Sequence, residues 1–322
     1  MDRFILILLL FHSVLVEAQQ ARTITSTRKE ISFLSGGIEL KGWLYLPHAE
    51  TKAPYSAVVM APGFSGTTEC NYQFIADHFC RAGLAVLLFD YPNFGASGGN
   101  IRSEADPWQQ VQAYRDGISF LCTRPEVNAS RIGVWGGSYS GGHAIAVSAL
   151  DSRVKCLVAM TPYASGSDFK KALPPDNAAY LYGLFNADRT ARMQGGKPAL
   201  IPVASRNADE FCAIPSPHAM EFIESFASYA ANYVNAVTLR SLEMQLEYNP
   251  GAYAADIPAI PKLFLIANQD ELIPEEQIKQ VFQQASEPKE LLYIEGNHFT
   301  PYMAGLETVS DMMAKWMMDH LR

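Results

Sequence analysis

Residues 132–150 read Ile132-Gly133-Val134-Trp135-Gly136-Gly137-Ser138-Tyr139-Ser140-Gly141-Gly142-His143-Ala144-Ile145-Ala146-Val147-Ser148-Ala149-Leu150. A short apolar strand, Ile132 to Trp135, runs through glycine and serine into a small-residue helix, His143 to Leu150. So sharp a turn from strand to helix forces the residue at its apex into strained backbone angles and presents that side chain as a nucleophile. Neighbours two positions away must be small to avoid collision, and Gly136 and Ser140 meet that need around Ser138. Gly141 and Gly142 are read as letting the helix pack closely on its strand. The pattern is G-x-S-x-S-G-G, with serine where the usual motif has its second glycine. Ser140, itself flanked by Ser138 and Gly142, is the rival nucleophile, but Ser138 stands nearer the strand end, where the turn belongs.

Outward from this stretch the chain alternates. Short continuous apolar runs occur at Ala57 to Met60, Leu84 to Phe89, Val154 to Met160, Leu263 to Ala267 and Leu291 to Ile294. Such runs suit strands buried on both faces of a parallel sheet. Helical patterns fall between them, at about 72–82, 107–122, 140–150, 275–286 and 303–321. Alternating β and α elements predict an α/β fold with right-handed crossovers. Ahead of them, residues 29–46 read as two antiparallel edge strands around Ser35-Gly36-Gly37. One stretch breaks the alternation. Residues 162–252 hold no convincing strand, are rich in aromatics and are punctuated by Pro174-Pro175, Gly195-Gly196 and Pro215/Pro217. We read them as a helical cap inserted over the carboxyl ends of the strands, where open α/β sheets bind ligands. Residues 19–161 and 253–322 then form the core domain.

A serine hydroxyl needs a base, and the base needs an orienting acid. After the cap, the strand Leu263 to Ala267 ends in Asn268-Gln269-Asp270-Glu271-Leu272-Ile273-Pro274, and the strand ending at Ile294 runs into Glu295-Gly296-Asn297-His298-Phe299. Ser138, Asp270 and His298 therefore stand just past three strand ends, in the order Ser, Asp, His. Asp90, after the strand Leu84 to Phe89, is the runner-up acid. His143 is expected to pack beneath the site; His48, His78, His218 and His320 lack motif context and read as structural or surface residues. An oxyanion hole needs two backbone N–H groups. Tyr139, next after the nucleophile, supplies one candidate; Phe64, in the loop Ala61-Pro62-Gly63-Phe64-Ser65-Gly66 after an early strand, supplies the other.

These residues resemble the α/β-hydrolase superfamily from about residue 30 to the carboxyl end. Within it the chain is similar to the branch of fungal polyketide transferases and thiohydrolases, and to bacterial esterases related to dienelactone hydrolase. The specific pieces are Gly42-Trp43-Leu44-Tyr45, Phe89-Asp90-Tyr91, Trp135 to His143, Val237-Thr238-Leu239-Arg240-Ser241-Leu242-Glu243, Pro288-Lys289-Glu290 and Gly296-Asn297-His298-Phe299. The resemblance implies a mostly parallel eight-stranded sheet with helices on both faces and an inserted cap, a Ser138–Asp270–His298 triad, and no cofactor. Three positions depart from it: Pro62 replaces a frequent His, Asn297 replaces Gly before the base, and the elbow carries Ser where dienelactone hydrolases carry Cys.

The expected activity is hydrolysis of carboxylic esters or thioesters of small to medium apolar acyl groups. Acyl transfer on the same triad is the alternative, and a catalytically inactive binding protein of the same fold is the alternative from another class. Peptidases sharing a G-x-S-Y-x-G elbow carry large extra domains, for which this chain is too short. Thirty-three acidic against 25 basic residues give a net charge of −8 over 322 residues, and no basic cluster offers a nucleic-acid surface. The apolar run from Phe4 through Val16, followed by Val16-Glu17-Ala18, reads as a secretory signal peptide over residues 1–18. About thirteen residues span only ~20 Å as a helix, short of a ~30 Å hydrocarbon core, so export is expected rather than stable membrane insertion. Five cysteines, Cys70, Cys80, Cys122, Cys156 and Cys212, form no CxxC or Cys/His zinc pattern. Cys122 and Cys156 read as buried, and one disulfide is compatible with an oxidising compartment.

Overall fold

The computed structural model describes residues 22–48 and 53–321; the leader assigned to residues 1–18, with His12, lies outside the described residues. Ten strands follow in chain order: β1 (Thr27–Ser35), β2 (Ile38–Leu46), β3 (Tyr55–Ala61), β4 (Ala85–Phe89), β5 (Val127–Gly137), β6 (Val154–Met160), β7 (Leu200–Ile201), β8 (Val237–Thr238), β9 (Lys262–Ala267) and β10 (Lys289–Ile294). Eight of them make one sheet in the order β1-β2-β4-β3-β5-β6-β9-β10. β2 runs antiparallel to β1 and β4, and the remaining pairs are parallel. Gly36 and Gly37 join β1 to β2 with φ of 56° and 82°. Two consecutive positive φ values define the two-residue turn whose twist matches a hairpin, which explains the glycine pair.

The helices are α1 (Tyr72–Arg81), α2 (Pro107–Cys122), α3 (Tyr139–Leu150), α4 (Gly166–Ala172), α5 (Pro175–Met193), α6 (Pro217–Phe226), α7 (Leu239–Glu247), α8 (Glu275–Gln284) and α9 (Leu306–His320). Alternation along the strands sends successive side chains into two cores. Ala57, Val59 and Ala61 of β3 join the core under α2, α3 and α8. Val58 and Met60 join the core under α1 and α9. Both cores are continuous because every residue of β4 and β9 is buried. Helices thus cover both faces of a mostly parallel sheet, the α/β-hydrolase architecture expected from the sequence.

Between β6 and β9 the chain is chiefly helical, α4 to α7. It also holds β7 and β8, an antiparallel ribbon of two residues a side that the sequence reading did not foresee. Two residues are too few to show a period. The segment is anchored to the loop after β4: Thr238 N–H donates to the Ser103 carbonyl at 2.9 Å, Ser241 Oγ accepts the Ala105 N–H at 2.8 Å, and Arg240 pairs with Glu104 at 2.7 Å. All five cysteines are free thiols, and Cys122 is half-buried rather than fully buried. Among the described residues no helix is long and apolar enough to cross a membrane, and no cluster of His, Cys, Asp and Glu could hold a metal ion.

Candidate active site

Ser138 stands between β5 and α3 at φ 57°, ψ −123°, a region that side chains with a Cβ rarely enter. The end of β6 clamps this turn from outside. Ser138 N–H donates to the Met160 carbonyl at 2.9 Å, and the Ser138 carbonyl accepts the N–H groups of Tyr163 and Gly141, each at 2.9 Å. A Cβ on Gly136 would run into the Ser140 carbonyl, as expected for a residue two before the apex. Gly141 does allow the close approach to its own strand read in the sequence, a Cβ there lying 3.3 Å from the Gly136 carbonyl, but both glycines make room chiefly for other segments. A Cβ on either would meet Pro162, Tyr163 or Pro250, so they admit the loop after β6 and the segment before β9 more than their own strand.

His298 follows β10 and brings the predicted residues together. Its Nε2 lies 2.9 Å from Ser138 Oγ and its Nδ1 lies 2.7 Å from Asp270 Oδ2. The His298 and Asp270 side chains are each only 2% exposed. Asp270 is fixed from behind, because its Oδ1 accepts the N–H groups of Leu272 and Ile273 at 2.9 and 2.8 Å. The loops after β9 and β10 are stitched together: Asn268 N–H donates to the Ile294 carbonyl, Gln269 N–H to the Gly296 carbonyl, and Gly296 N–H to Asn268 Oδ1. Asn297, the departure before the base, accepts the Phe299 and Thr300 N–H groups at 3.0 and 3.1 Å and so closes the turn that aims His298.

The rival residues take other roles. Ser140 is fully buried; its hydroxyl sits 2.9 Å from the Ala61 carbonyl and accepts the Gly137 N–H at 3.0 Å, which ties the elbow to β3. Asp90 accepts the Thr68 N–H at 2.7 Å and the Ala96 N–H at 2.9 Å, organising two loops, and burial raises its carboxyl to about 6. His143 lies beneath the elbow as expected. Its Nε2 is 2.8 Å from Gln110 Oε1 and its Nδ1 3.0 Å from Tyr248 Oη, with its ring edge-on to Tyr139. Burial lowers its imidazole to about 3, so it stays neutral in the fold.

The two oxyanion candidates are neighbours. The rings of Phe64 and Tyr139 pack edge to face at 5.3 Å. The Gly63 N–H is taken by Tyr72 Oη at 2.8 Å, which holds the loop in place. As the first residue of α3, Tyr139 has an N–H with no acceptor inside the helix.

Two residues here escaped the sequence reading. Tyr72 has no local signal for its bond to Gly63. Glu271, next to Asp270, accepts Ser216 Oγ at 2.6 Å and His218 Nδ1 at 3.2 Å on one oxygen and lies 3.4 Å from the His298 N–H with the other. Burial pushes its carboxyl up, but these hydrogen bonds outweigh it and hold it below the usual value. His218, read as a structural or surface residue, thus joins α6 to the site through a partner 53 positions away.

Two cavities open at Ser138. One, about 50 Å³, is lined by His298, Tyr72, Phe222, Phe226 and Tyr302. The other, about 340 Å³, is lined by Tyr139, Phe169, Leu173, Leu181, Leu242 and Leu246. Ser138, Phe64, Ile214 and Leu272 border both.

The sheet, with this serine–imidazole–carboxylate relay at its strand ends, is of the alpha/beta hydrolase kind, and comparison with known proteins shows the same family. The chain belongs to the alpha/beta hydrolase fold family, whose pattern matches residues 56–302. Among its relatives, Thiohydrolase aneE of Aspergillus aculeatus is 30% identical over 304 residues, covering 92% of this chain and 94% of its own. Polyketide transferase grgF of a Penicillium species is 25% identical over 301 residues, covering 92% of this chain and 98% of its own. The crystal structure of hypothetical protein PA2218 from Pseudomonas aeruginosa shares the fold with a TM-score of 0.80 at 24% identity, over 94% of this chain and 97% of its own. The likeness to fungal thiohydrolases and polyketide transferases drawn from the motifs is thereby found.

Proposed function

We propose that this chain is a serine hydrolase that cleaves carboxylic esters or thioesters of apolar acyl groups through an acyl-enzyme. The observation that carries this reading is the relay of 2.9 and 2.7 Å from Ser138 through His298 to Asp270 at the strained apex. In the mechanism we infer, Ser138 Oγ attacks the carbonyl carbon while His298 Nε2 takes its proton. The carbonyl π electrons move to oxygen, where the Phe64 and Tyr139 N–H groups receive the charge. Collapse breaks the bond to the leaving group, which takes the proton from His298. Water then gives a proton to Nε2 and attacks the acyl-enzyme; the second collapse returns a proton to Ser138 and frees the acid. Asp270 holds the Nδ1–H tautomer and stabilises the imidazolium.

The test is hydrolysis of p-nitrophenyl esters of graded acyl length by wild type and Ser138→Ala. The expected loss in kcat is at least about 10⁴-fold; a variant of undiminished activity would sink the reading. Acyl transfer is the second reading, favoured by the relative named a polyketide transferase. An alcohol or thiol then replaces water in the second half, and the product formed with added alcohol separates the two.

We further infer that residues 162–252 act as the cap that closes over this site, and that residues 1–18 direct export. Expressed with its leader in a secreting host, the mature protein is expected to begin at Gln19. An intact mass that retains residues 1–18 would refute export by this signal.

A further inference from the structure

We propose that the two cavities divide the substrate at the scissile bond. The 340 Å³ cavity holds the acyl group, and the 50 Å³ cavity beside His298 holds the leaving group and then the acceptor. This deepens the acyl-enzyme reading above and rests on it. The argument is the geometry of a tetrahedral carbon. Of its four substituents, one is Ser138 Oγ and one is the oxyanion, directed at the Phe64 and Tyr139 N–H groups. The leaving group must lie against the imidazole that protonates it. The acyl group takes the remaining direction, away from the base. His298 lines the small cavity and not the large one, whereas Tyr139 lines the large one.

The sizes then name the substrate class. The acyl cavity falls in the range that accommodates a small organic ligand, and its walls are chiefly aliphatic and aromatic. The other side is small and lined by Phe222, Phe226 and Tyr302. The substrate is a medium-chain or comparably bulky apolar acyl group on a small or slender alcohol or thiol. The acceptor is water or a small alcohol or thiol entering by the path the leaving group vacates. α6 carries Phe222 and Phe226 and is tied through Ser216 and His218 to Glu271, so the small side is braced against the same loop that carries Asp270.

The experiment varies one side at a time. Wild type is assayed on methyl esters from acetate to decanoate, and on butyrates of methyl, benzyl and naphthylmethyl alcohol. The expected profile tolerates decanoate and falls at least tenfold from methyl to naphthylmethyl. Leu246→Trp narrows the large cavity alone and Ala219→Phe the small one. Leu246→Trp is expected to lower the decanoate-to-acetate ratio of kcat/KM at least tenfold. Ala219→Phe is expected to lower the benzyl-to-methyl ratio by a similar factor. The opposite pairing, or both variants acting on one profile, overturns the assignment. If either variant fails to fold, Leu246→Phe and Ala219→Leu repeat the test. A wild type that accepts bulky alcohols but only short acyl groups overturns it without any variant. Failure of a fluorophosphonate to label folded wild type at Ser138 is a separate result: it removes the acyl-enzyme reading itself, and this assignment with it.

Discussion

The strand-end rim and the segment between β6 and β9 meet at one site but are built in different ways. The rim is a set of tight loops whose backbone N–H groups are nearly all taken, by carbonyls or by the short side chains of Asn268, Asp270 and Asn297. Met160 at the end of β6 and Tyr163 just beyond it clamp Ser138, and the loops after β9 and β10 are stitched by Asn268 and Gln269. The segment opposite is a set of helices tied down at a few points, by backbone between Thr238 and Ser103 and by side chains between Arg240 and Glu104. α5 runs for 19 residues yet buries only Leu181, Phe185 and Asp188, while Tyr180, Met193 and Val234 are 61%, 88% and 61% exposed. On the function proposed above, that difference divides the labour between them. Catalysis needs atoms within a few tenths of an ångström, which a buried ladder can hold. Selectivity needs walls that can change shape without disturbing that ladder.

The sharpest way to break the comparison is Asp270→Asn. The amide can still accept the Leu272 and Ile273 N–H groups, so the loop is expected to survive. The imidazole, however, loses its acceptor for Nδ1–H and takes the wrong tautomer. The expected result is a fall in kcat of about 10⁴-fold in a protein that melts cooperatively; a small effect would show that the rim's geometry is not what drives the reaction.

A pair of identical substitutions tests the two regions against each other. Gly136→Ala puts a methyl group into the Ser140 carbonyl and is expected to cost about 3 kcal/mol in denaturant unfolding, with loss of activity. Gly183→Ala in α5 meets nothing within 4 Å and is expected to stabilise the protein by about 0.5–1 kcal/mol, as alanine does in an exposed helix interior. Equal signs for the two would mean that the regions do not differ in the way described.

The smaller effect is on pH dependence and concerns the layer beneath the rim. His143, held near 3 against an ordinary 6.5, is neutral in both folded and unfolded chains above about pH 6.5. As pH falls from there toward 3, the unfolded chain takes a proton that the folded chain refuses, so stability drops by about 1.4 kcal/mol per pH unit. Asp90 acts in the opposite sense. Raised to about 6 by burial, it takes its proton in the folded chain first, which favours the fold as pH falls from 6 toward its ordinary 3.8. Between pH 7 and 5 the unfolding free energy of His143→Gln should therefore fall by about 2 kcal/mol less than that of wild type. An unchanged difference would mean that His143 is not the group titrating.

Much of this site could be read from the chain because its constraints are local. Apolar runs marked each sheet strand around the elbow, and β6 was delimited to the residue, since six of its seven residues are buried and only Lys155 interrupts the run. Ser138, Asp270 and His298 each stand within four residues of a strand end. The β7–β8 ribbon stayed hidden because two residues have no period, and the role of Gly142 was misread because its neighbours, Tyr163 and Pro250, come from distant chain. Glu271 gave no signal because its partners Ser216 and His218 lie 55 and 53 positions away.

By itself the sequence determined the class of fold, the strained serine turn and the order of its partners. Steric rules for a strand turning into a helix involve a handful of adjacent residues, and burial on two faces writes itself into short apolar runs. Only the tertiary structure decided that Asp270 and not Asp90 reaches the imidazole, that the Ser140 hydroxyl ties the elbow to β3, and that a large and a small cavity meet at Ser138. Each of these depends on which strand lies beside which, β9 between β6 and β10, and on where four helices from a long insertion come to rest. Such distances are fixed by packing between elements far apart in the chain, and no spacing within it records them.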